Sequence, residues 1–231
     1  MHPEPDDLSR QRACSEFAHR ARHELLTPLS GLTMLLSAAR RGGSENDVEI
    51  VVDQALAATQ RMTRVVRACV EYIDADLPLP GTAPVDTGVL CREAQEILRT
   101  NEPLFARAMI LVRDPLPTVE GHAGMLRRVF MALLDNAVRY TRDVPARVEV
   151  SAVEADDRWR IEIADRGIGL SPEQCVRVLS PFERLHAWDS IPGIGLSLAT
   201  CQRVMTRHRG QLALAARDGG GTVAWFTLPR P

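Results

Sequence analysis

Apolar residues in the first third of the chain recur in heptad order, which is the spacing of helices that pack side by side. Two series show this spacing: Leu25, Leu29, Leu32 and Leu36, and then Val48, Val52, Ala55, Thr59, Met62, Val66, Cys69 and Ile73. A break at Gly42-Gly43-Ser44 separates them, and Asn46-Asp47 can cap the second helix. The pattern predicts an antiparallel hairpin of two long helices, the first running from residue 8 to about 40.

Some apolar residues of the hairpin lie outside these two seams and need further partners. Leu26, Leu35 and Leu56 are examples. A homodimer in which two hairpins form a four-helix bundle would bury them. The alternative is that the hairpin packs on the C-terminal half of its own chain. The length and regularity of the seams favour the homodimer.

The pattern changes after the second helix. Residues 76–84 contain three prolines and one glycine, a composition typical of linkers. We therefore predict a helical domain at residues 1–76, a linker at 77–84 and a second domain at 85–231.

Helical and alternating segments interleave in the second domain. Helices are predicted at 87–101, 123–141 and 195–208, and strands at 109–112, 148–152, 159–163, 211–216 and 222–228. The helix at 123–141 has an apolar face made of Leu126, Val129, Phe130, Leu133 and Leu134. The strands and helices do not follow the regular β-α-β order along the chain that is typical of a parallel sheet. The predicted fold class is therefore α+β multidomain: a helical hairpin followed by an α/β sandwich with one mixed sheet and helices on one face.

Composition narrows the classes of function. The net charge of −2 over 231 residues argues against a nucleic-acid-binding surface, and no apolar run is long enough to span a membrane. The polar, acidic N-terminus does not resemble a signal peptide. The five cysteines have no paired spacing, which predicts free thiols in a reducing compartment. One interpretation of Cys14 and Cys69 is that they form a redox pair. The other is that both are small residues of the hydrophobic core.

Two segments of the second domain could contact a magnesium-bound triphosphate. Asn136 and Arg139 are three residues apart and share one helix face, where an amide oxygen can bind the metal and a guanidinium can bind phosphate. Gly193 and Gly195 precede a helix whose N-terminus favours an anion. For Asn136 and Arg139 alone, an ordinary helix end with polar residues is the favoured interpretation. For the glycine segment alone, a helix entry without a ligand is equally compatible.

A third segment, Asp165-Arg166-Gly167-Ile168-Gly169, follows directly after a predicted strand. A carboxylate there can accept a hydrogen bond from an exocyclic amine, and glycines allow a flat ring to approach the backbone. A simple turn would have the same residues.

The first helix carries the fourth segment, in which His23 lies beside Glu24 and is followed by Thr27-Pro28. Such a histidine can accept a phosphoryl group. His19 lies one turn earlier, so a metal-binding pair of histidines is an alternative, although no further ligand lies nearby in the sequence. We expect the remaining histidines His122, His186 and His208 to be surface or lid residues.

The order of these segments resembles that of the sensor histidine kinases. The segment Phe17 to Leu29 is similar to their phosphoacceptor box, F-x5-H-E-x-x-T-P-L. The Asn136 helix, the D-x-G-x-G segment, Pro181-Phe182-Glu183-Arg184, the Gly193–Leu198 segment and the final Gly219–Pro229 follow in the family's order. The resemblance covers essentially the whole chain. It implies a dimerisation and phosphotransfer domain followed by an ATP-binding domain of the Bergerat fold, shared with gyrase, Hsp90 and MutL.

The resemblance also implies roles for individual residues. His23 would be the phosphoacceptor, Glu24 would orient or deprotonate it, and Thr27 would position a hydrolytic water when the kinase acts as a phosphatase. Asn136 would hold Mg²⁺, Asp165 would recognise the adenine amine, and residues 183–192 would form a lid. The nucleotide-binding residues would be Asn136, Arg139, Tyr140, Asp165, Gly167, Gly169, Phe182, Gly193, Gly195, Leu196, Ser197 and Thr222.

The implied activity is ATP-dependent autophosphorylation, followed by phosphoryl transfer to an aspartate of a response-regulator receiver domain. The implied cofactors are ATP and Mg²⁺, and the implied location is cytoplasmic, either as a complete protein or as part of a longer membrane receptor. A homodimer through the hairpin, with no nucleic-acid or membrane contact, completes the prediction.

Four positions depart from the family's pattern. Ala132 replaces a usual asparagine four residues before Asn136, and Ser197 replaces the third glycine of the second glycine segment. Arg139 replaces a lysine and Leu26 an arginine. Ala132 and Ser197 motivate a rival class of function, in which a degenerate ATP domain supports a phosphoryl relay or a binding module rather than a kinase.

Overall fold

The computed structural model describes residues 5–40, 45–77, 81–141, 145–185 and 193–230. The predicted helix break at Gly42-Gly43-Ser44 and most of the predicted lid, including His186, lie outside the described residues. The chain divides into two compact units, residues 1–71 and 72–231.

The N-terminal unit contains the predicted helical hairpin. Helix α1 spans Pro5–Ala39 and contains Pro28, and helix α2 spans Glu45–Asp74. Helix α1 therefore begins three residues before the predicted start. An ion pair joins Arg61 Nη2 on α2 to Glu24 Oε2 on α1, 3.1 Å apart. Val65 is fully buried.

Much of the predicted seam is exposed in a single chain. The exposed apolar side chains of the hairpin include Leu26, Leu29, Leu36, Val48, Val52, Leu56, Val66 and Ile73. On α2, the exposed members of this set alternate with partly buried positions such as Met62 and Cys69. The hairpin of one chain thus leaves apolar surface for a partner.

The C-terminal unit is an α/β sandwich. Its elements after the end of α2 are β1 (Ala83–Asp86), α3 (Thr87–Asn101), a 3₁₀ turn (Pro103–Arg107), β2 (Met109–Val112), β3 (Thr118–Gly121), α4 (Ala123–Arg139), β4 (Arg147–Ala155), β5 (Arg158–Asp165), α5 (Pro172–Arg177), α6 (Ser197–Arg207), β6 (Leu212–Ala216) and β7 (Thr222–Pro229).

A five-stranded mixed sheet forms the centre of this unit. Its strand order is β2-β4-β5-β7-β6; β2 pairs with β4 in parallel and the other pairs are antiparallel. Ile161 and Ile163 of β5 are buried, whereas the alternate residues Arg160 and Glu162 are only partly buried. This alternation places the helices on one face of the sheet, as predicted.

The predicted apolar face of α4 forms the middle of the core. Leu126, Val129, Phe130, Leu133 and Leu134 are all at most 1% exposed, which confirms the helical period assigned to this segment. Phe130 also meets Phe226 of β7 edge to face, with ring centroids 5.4 Å apart. Helix α4 is therefore anchored against the sheet, and its last turn has a fixed position.

Four elements of the C-terminal unit were not predicted: β1, β3, the 3₁₀ turn and α5. Strands β1 and β3 form a separate two-stranded sheet, and β1 begins within the segment predicted as linker. Each has only four residues, and they pair across the whole of α3, so no local pattern indicates them. Helix α5 has a local signal in its capping box, where Ser171 and Gln174 satisfy each other's backbone N–H groups.

His208 contradicts its assignment as a surface residue. Its side chain is only 5% exposed; Nε2 accepts a hydrogen bond from the backbone N–H of His122 at 3.0 Å, and Nδ1 lies 2.8 Å from the carbonyl of Val204. Burial lowers the pKa of His208, because the imidazolium would lose its hydration. A neutral imidazole therefore joins the end of α6 to the start of α4, where His122 itself caps the helix.

The cysteines are unpaired thiols. Cys91, Cys175 and Cys201 are buried, and Cys69 is half-buried with its pKa raised by desolvation. Cys14 is exposed, so the interpretation of Cys14 as a small core residue is wrong for a single chain. No helix within the described residues is long and apolar enough to cross a membrane.

Candidate nucleotide and phosphoacceptor sites

Asp165 is the last residue of β5 and is only 8% exposed. Its Oδ1 accepts hydrogen bonds from the backbone N–H groups of Gly167 at 2.7 Å and Thr222 at 3.0 Å. No hydrogen bond from the described residues reaches Oδ2. Burial raises the pKa of the Asp165 carboxyl, while these two N–H groups oppose the rise. The carboxylate is thus held rigidly by one oxygen and has the other available for a ligand donor.

The loop after Asp165 is joined to the end of α4. The N–H of Ile168 donates to the carbonyl of Tyr140 at 3.1 Å, and Thr141 forms a bridge with Gly167. A Cβ atom at Gly167 would lie 2.3 Å from the Tyr140 carbonyl oxygen. Gly167 is therefore required by this close approach of two backbones, and Tyr140 is brought beside the D-x-G-x-G loop.

The loop between β6 and β7 closes the other side of Asp165. Gly221 has φ +102°, and a Cβ there would lie 2.2 Å from the Asp165 carbonyl oxygen. That carbonyl also accepts a hydrogen bond from Arg217 Nη1 at 3.0 Å. Arg217 and Gly221 thus contact the backbone of Asp165, and neither was predicted as a site residue, although the run of glycines at 219–221 was a visible signal.

Replacing Gly221 with alanine is expected to lower the free energy of unfolding of the C-terminal unit by about 3 kcal/mol or more. The matched control is Gly220→Ala: Gly220 has the same φ, +102°, but no atom lies within 4 Å of its Cβ position. The control should cost only about 1 kcal/mol of left-handed backbone strain. Urea unfolding followed by tryptophan fluorescence would measure both, and equal losses would refute the steric contribution.

Asn136 lies in the last turn of α4 and contains a buried polar atom with no partner. Its Nδ2 is buried and makes no hydrogen bond within the described part of the chain. An unpaired buried amide is unfavourable unless a ligand or water completes it. Since the oxygen and nitrogen of an asparagine amide can exchange places by a flip, the same site can present Oδ1 to a ligand.

Arg139 is engaged with neighbouring carboxylates. Its Nε and Nη2 donate to the two oxygens of Asp135 at 3.1 and 2.9 Å, and Nη2 lies 3.5 Å from Glu102 Oε2. The structure therefore places Arg139 one turn from Asn136, as the spacing predicted, but with its charge already paired. Glu102 and Asp135 were not identified from the sequence.

The start of α6 is coupled to the Phe182 segment. The N–H of Phe182 donates to the carbonyl of Gly195 at 2.8 Å, and both residues have positive φ, +60° and +77°. A Cβ at Gly195 would lie 2.7 Å from the carbonyl oxygen of Glu183. Gly193 is exposed, and no atom of the described residues lies within 4 Å of its Cβ position. The two glycines thus differ: Gly195 holds the loop, and Gly193 leaves open space.

Leu196 and Ser197 lie at the first turn of α6. Leu196 is 1% exposed and is the N-cap, and no side-chain hydrogen bond caps the helix there. Ser197 is the first helical residue and is exposed. Helix α6 begins two residues later than predicted, because Gly195 adopts a left-handed conformation instead of a helical one.

A cavity of about 370 Å³ lies beside the D-x-G-x-G loop. Residues 167–171, Gln174, Arg217, Gly220 and Gly221 contribute to its lining. Asp165 and Asn136 do not line it. The cavity is therefore lined by the two loops that flank Asp165, without the Asp165 or Asn136 side chains.

The second candidate site is on α1. His23 is exposed, and Thr27 Oγ1 donates to its backbone carbonyl at 2.9 Å. Glu24 is half-buried and paired with Arg61. His19 Nδ1 lies 3.3 Å from Arg22 Nη2, and the described residues contain no group of three histidine, cysteine, aspartate or glutamate side chains that could hold a metal ion.

Two protein families match this chain in the order of its two units. Residues 14–72 match the family described as the His Kinase A (phospho-acceptor) domain. Residues 121–231 match the family described as histidine kinase-, DNA gyrase B-, and HSP90-like ATPase. The first match includes His23, and the second includes Asn136 and Asp165.

Similar proteins extend the likeness to nearly the whole chain. The adaptive-response sensory kinase SasA of Thermosynechococcus vestitus is 27% identical over 250 residues, covering 99% of this chain and 63% of the relative. Cyanobacterial phytochrome A of Nostoc sp. is 26% identical over 227 residues, covering 96% of this chain and 29% of the relative. The chain thus spans less than two thirds of the length of these relatives.

Solved structures show the same architecture. Full-length ShkA in complex with AMPPNP is 25% identical, with a TM-score of 0.62, covering 93% of this chain and 45% of that one. The mycobacterial sensor histidine kinase MprB is 28% identical, with a TM-score of 0.55, covering 64% of this chain and 98% of that one. ThkA in complex with the response regulator protein TrrA has a TM-score of 0.74 at 16% identity over 96% of this chain and 64% of that one, which is a likeness of fold alone.

The phosphoacceptor domain precedes the ATP-binding domain, and together the two matches cover most of the chain. With the sensory kinase SasA and the histidine kinase MprB among its relatives, this chain belongs to the sensor histidine kinases.

Proposed function

We propose that this chain autophosphorylates His23 with ATP and passes the phosphoryl group to an aspartate of a response-regulator receiver domain. The observation that carries the proposal is the presence, in one chain, of an exposed histidine beside a carboxylate and of a buried Asp165 with one free oxygen. The first suits a phosphoryl acceptor, and the second suits an adenine amine.

Asp165 is the specificity group for the base. Its Oδ2 accepts the exocyclic amine, while Oδ1 stays fixed by Gly167 and Thr222. A guanine would present a carbonyl oxygen at that position. This oxygen and Asp165 Oδ2 are both hydrogen-bond acceptors, so no hydrogen bond would form between them. The site therefore selects adenine, with Tyr140 and Gly169 beside the ring.

Asn136 is the residue that would hold Mg²⁺. The fit is supported by its buried amide, which has no hydrogen-bond partner for Nδ2 among the described residues and can present Oδ1 there after a flip, and by the preference of Mg²⁺ for oxygen donors. The bound ion would neutralise charge on the triphosphate. Ala132, one turn earlier, has no polar group, so the protein supplies fewer ligands there and the affinity for the metal is expected to be reduced.

The triphosphate would extend towards the start of α6. Gly193 leaves space for phosphate oxygens, and the uncapped N-terminus of α6 presents backbone N–H groups to an anion. Ser197 can donate its hydroxyl there. Phe182 and Leu196 are fixed by the Gly195 loop and would shape this end of the site. Arg139 contributes little direct charge while Asp135 and Glu102 hold it.

The transfer step is an in-line displacement at the γ-phosphorus. An imidazole nitrogen of His23 forms the new N–P bond, the bond from the γ-phosphorus to the bridging oxygen breaks, and ADP leaves with the electron pair. Glu24 orients the imidazole and accepts its proton. In the second step, an aspartate oxygen of the receiver attacks the same phosphorus, and His23 is regenerated.

The exposed seam of the hairpin supports a homodimer. Leu29, Val52, Val66 and Ile73 would be buried in a four-helix bundle of two chains. Thr27, four residues after His23, would place a water for dephosphorylation of the regulator. Because the activity requires ATP and a receiver domain, we place the chain in the cytoplasm.

The rival function is a relay or sequestering module whose ATP domain is degenerate. Ala132 and Ser197 favour it. Within the described residues, the amide nitrogen of Asn136 has no hydrogen-bond partner and Asp165 Oδ2 accepts no hydrogen bond. Both favour the kinase, because a bound nucleotide and its metal ion would supply the missing partners.

Incubation with γ-labelled ATP and Mg²⁺ tests the proposal. We expect an acid-labile, base-stable label on the protein, and transfer of that label to an added receiver domain. A protein that takes up no label and shows no calorimetric binding of an ATP analogue at millimolar concentration would support the relay module instead.

A further inference from the structure

The carboxylate beside the phosphoacceptor is held by a cation from the other helix of the hairpin. Arg61 Nη2 lies 3.1 Å from Glu24 Oε2. The Arg61 side chain is 52% exposed, and within the described residues this is the one hydrogen bond of its guanidinium. A guanidinium has five N–H donors, so most of those on Arg61 are not used by the bond to Glu24.

Phosphorylation changes the charge next to this pair. A phosphoryl group brings roughly −1.5 to −2 charges and three acceptor oxygens at neutral pH. On His23 it would lie on the residue next to the Glu24 carboxylate, and two anions would then compete for one cation. Guanidinium groups bind phosphate oxygens through paired hydrogen bonds, which are stronger than one bond to a carboxylate oxygen.

We propose that Arg61 is the positioning residue of the phosphoacceptor site and changes partner during the reaction. In the unphosphorylated hairpin it holds the Glu24 carboxylate; after transfer, it donates to the phosphoryl oxygens on His23. The inference rests on the proposed function, because it requires His23 to be phosphorylated. Its consequence is that Arg61 sets the equilibrium of the first step, whereas Glu24 sets its rate.

The equilibrium of autophosphorylation measures this role directly. The protein is brought to a constant level of labelling at a fixed ratio of ATP to ADP, approached from both sides, and the ratio of phosphorylated to free His23 is determined. This ratio depends on the stability of the phosphorylated state and not on how fast it forms. A change that only slows the reaction therefore leaves it unaltered.

We expect Arg61→Gln to lower this ratio about tenfold, because a charge-assisted contact with phosphate is lost. Arg61→Lys, which keeps the charge but not the fork of donors, should give an intermediate ratio. The matched control is Arg67→Gln, which removes the same charge from an exposed position about 9 Å further along α2. Its ratio should stay within about twofold of wild type.

The outcomes separate the two proposals. If the wild type takes up no label, the proposed kinase activity is wrong and the inference fails with it. If the wild type is labelled and Arg61→Gln gives the same ratio as Arg67→Gln, only the role of Arg61 is wrong. Circular dichroism checks that the hairpin remains helical, which we expect because an exposed ion pair contributes little to folding.

Discussion

Replacing His23 with glutamine is expected to reduce the acid-labile label by at least about 100-fold, to the background of the assay. An amide has no nucleophilic nitrogen, so no N–P bond can form. The fold should be unaffected, because the side chain of His23 is exposed and the Thr27 hydroxyl bonds to its backbone carbonyl, which the variant keeps. Autoradiography after incubation with γ-labelled ATP, with thermal unfolding as a check of folding, measures both.

The control for this result is His19→Gln. His19 is on the same helix, one turn earlier, and is also exposed. Its ring nitrogen lies near Arg22 rather than near a carboxylate. The variant should therefore keep the label of the wild type. Loss of the label from His19→Gln and its persistence in His23→Gln would assign the phosphoacceptor to His19.

The local sequence pattern was sufficient to predict features that depend on a single helix. The apolar face of α4 could be predicted because its five core residues repeat with the helical period and all face the sheet. The heptad seams predicted the two helices of the hairpin, although much of the seam itself is exposed in a single chain. Asn136 and Asp165, the two polar groups of the candidate nucleotide site, were predicted because their motifs occur in the family's order.

Contacts between segments that are distant in the sequence could not be predicted from the local pattern of apolar and polar residues. Nothing in the sequence indicates that Asp135 and Glu102 hold Arg139, or that His208 accepts a hydrogen bond from His122, 86 residues away. The strand pair β1–β3 is also long-range. Such contacts depend on how complete elements are placed in the fold, so they require the structure.

The glycines of the nucleotide site show the difference most clearly. The D-x-G-x-G segment suggested that glycines let a ring approach the backbone. In the structure, Gly167 meets the Tyr140 carbonyl and Gly221 meets the Asp165 carbonyl. The glycines therefore bring three backbone segments together, and it is this packing that orients the Asp165 carboxylate.

Replacing Asp165 with asparagine is expected to weaken binding of an ATP analogue about 100-fold, which corresponds to about 2.7 kcal/mol. The amide oxygen of the variant can still accept the N–H groups of Gly167 and Thr222, so the loop keeps its shape. The NH₂ group then occupies the position of Oδ2. This NH₂ group and the adenine amine are both hydrogen-bond donors, so no hydrogen bond forms between them and both stay unpaired in a buried site. Isothermal titration calorimetry of the C-terminal domain measures the change.

The same variant should alter the choice of base, which a merely structural role of Asp165 would not do. A guanine presents a carbonyl oxygen where adenine has its amine, and the new NH₂ group can donate to it. The preference for the adenine over the guanine analogue should therefore shrink at least tenfold. The control is Asp218→Asn, which makes the same chemical change at an exposed position of the β6–β7 loop and should leave both affinities unchanged. If Asp165→Asn weakens both nucleotides equally, Asp165 supports the loop but does not recognise the base.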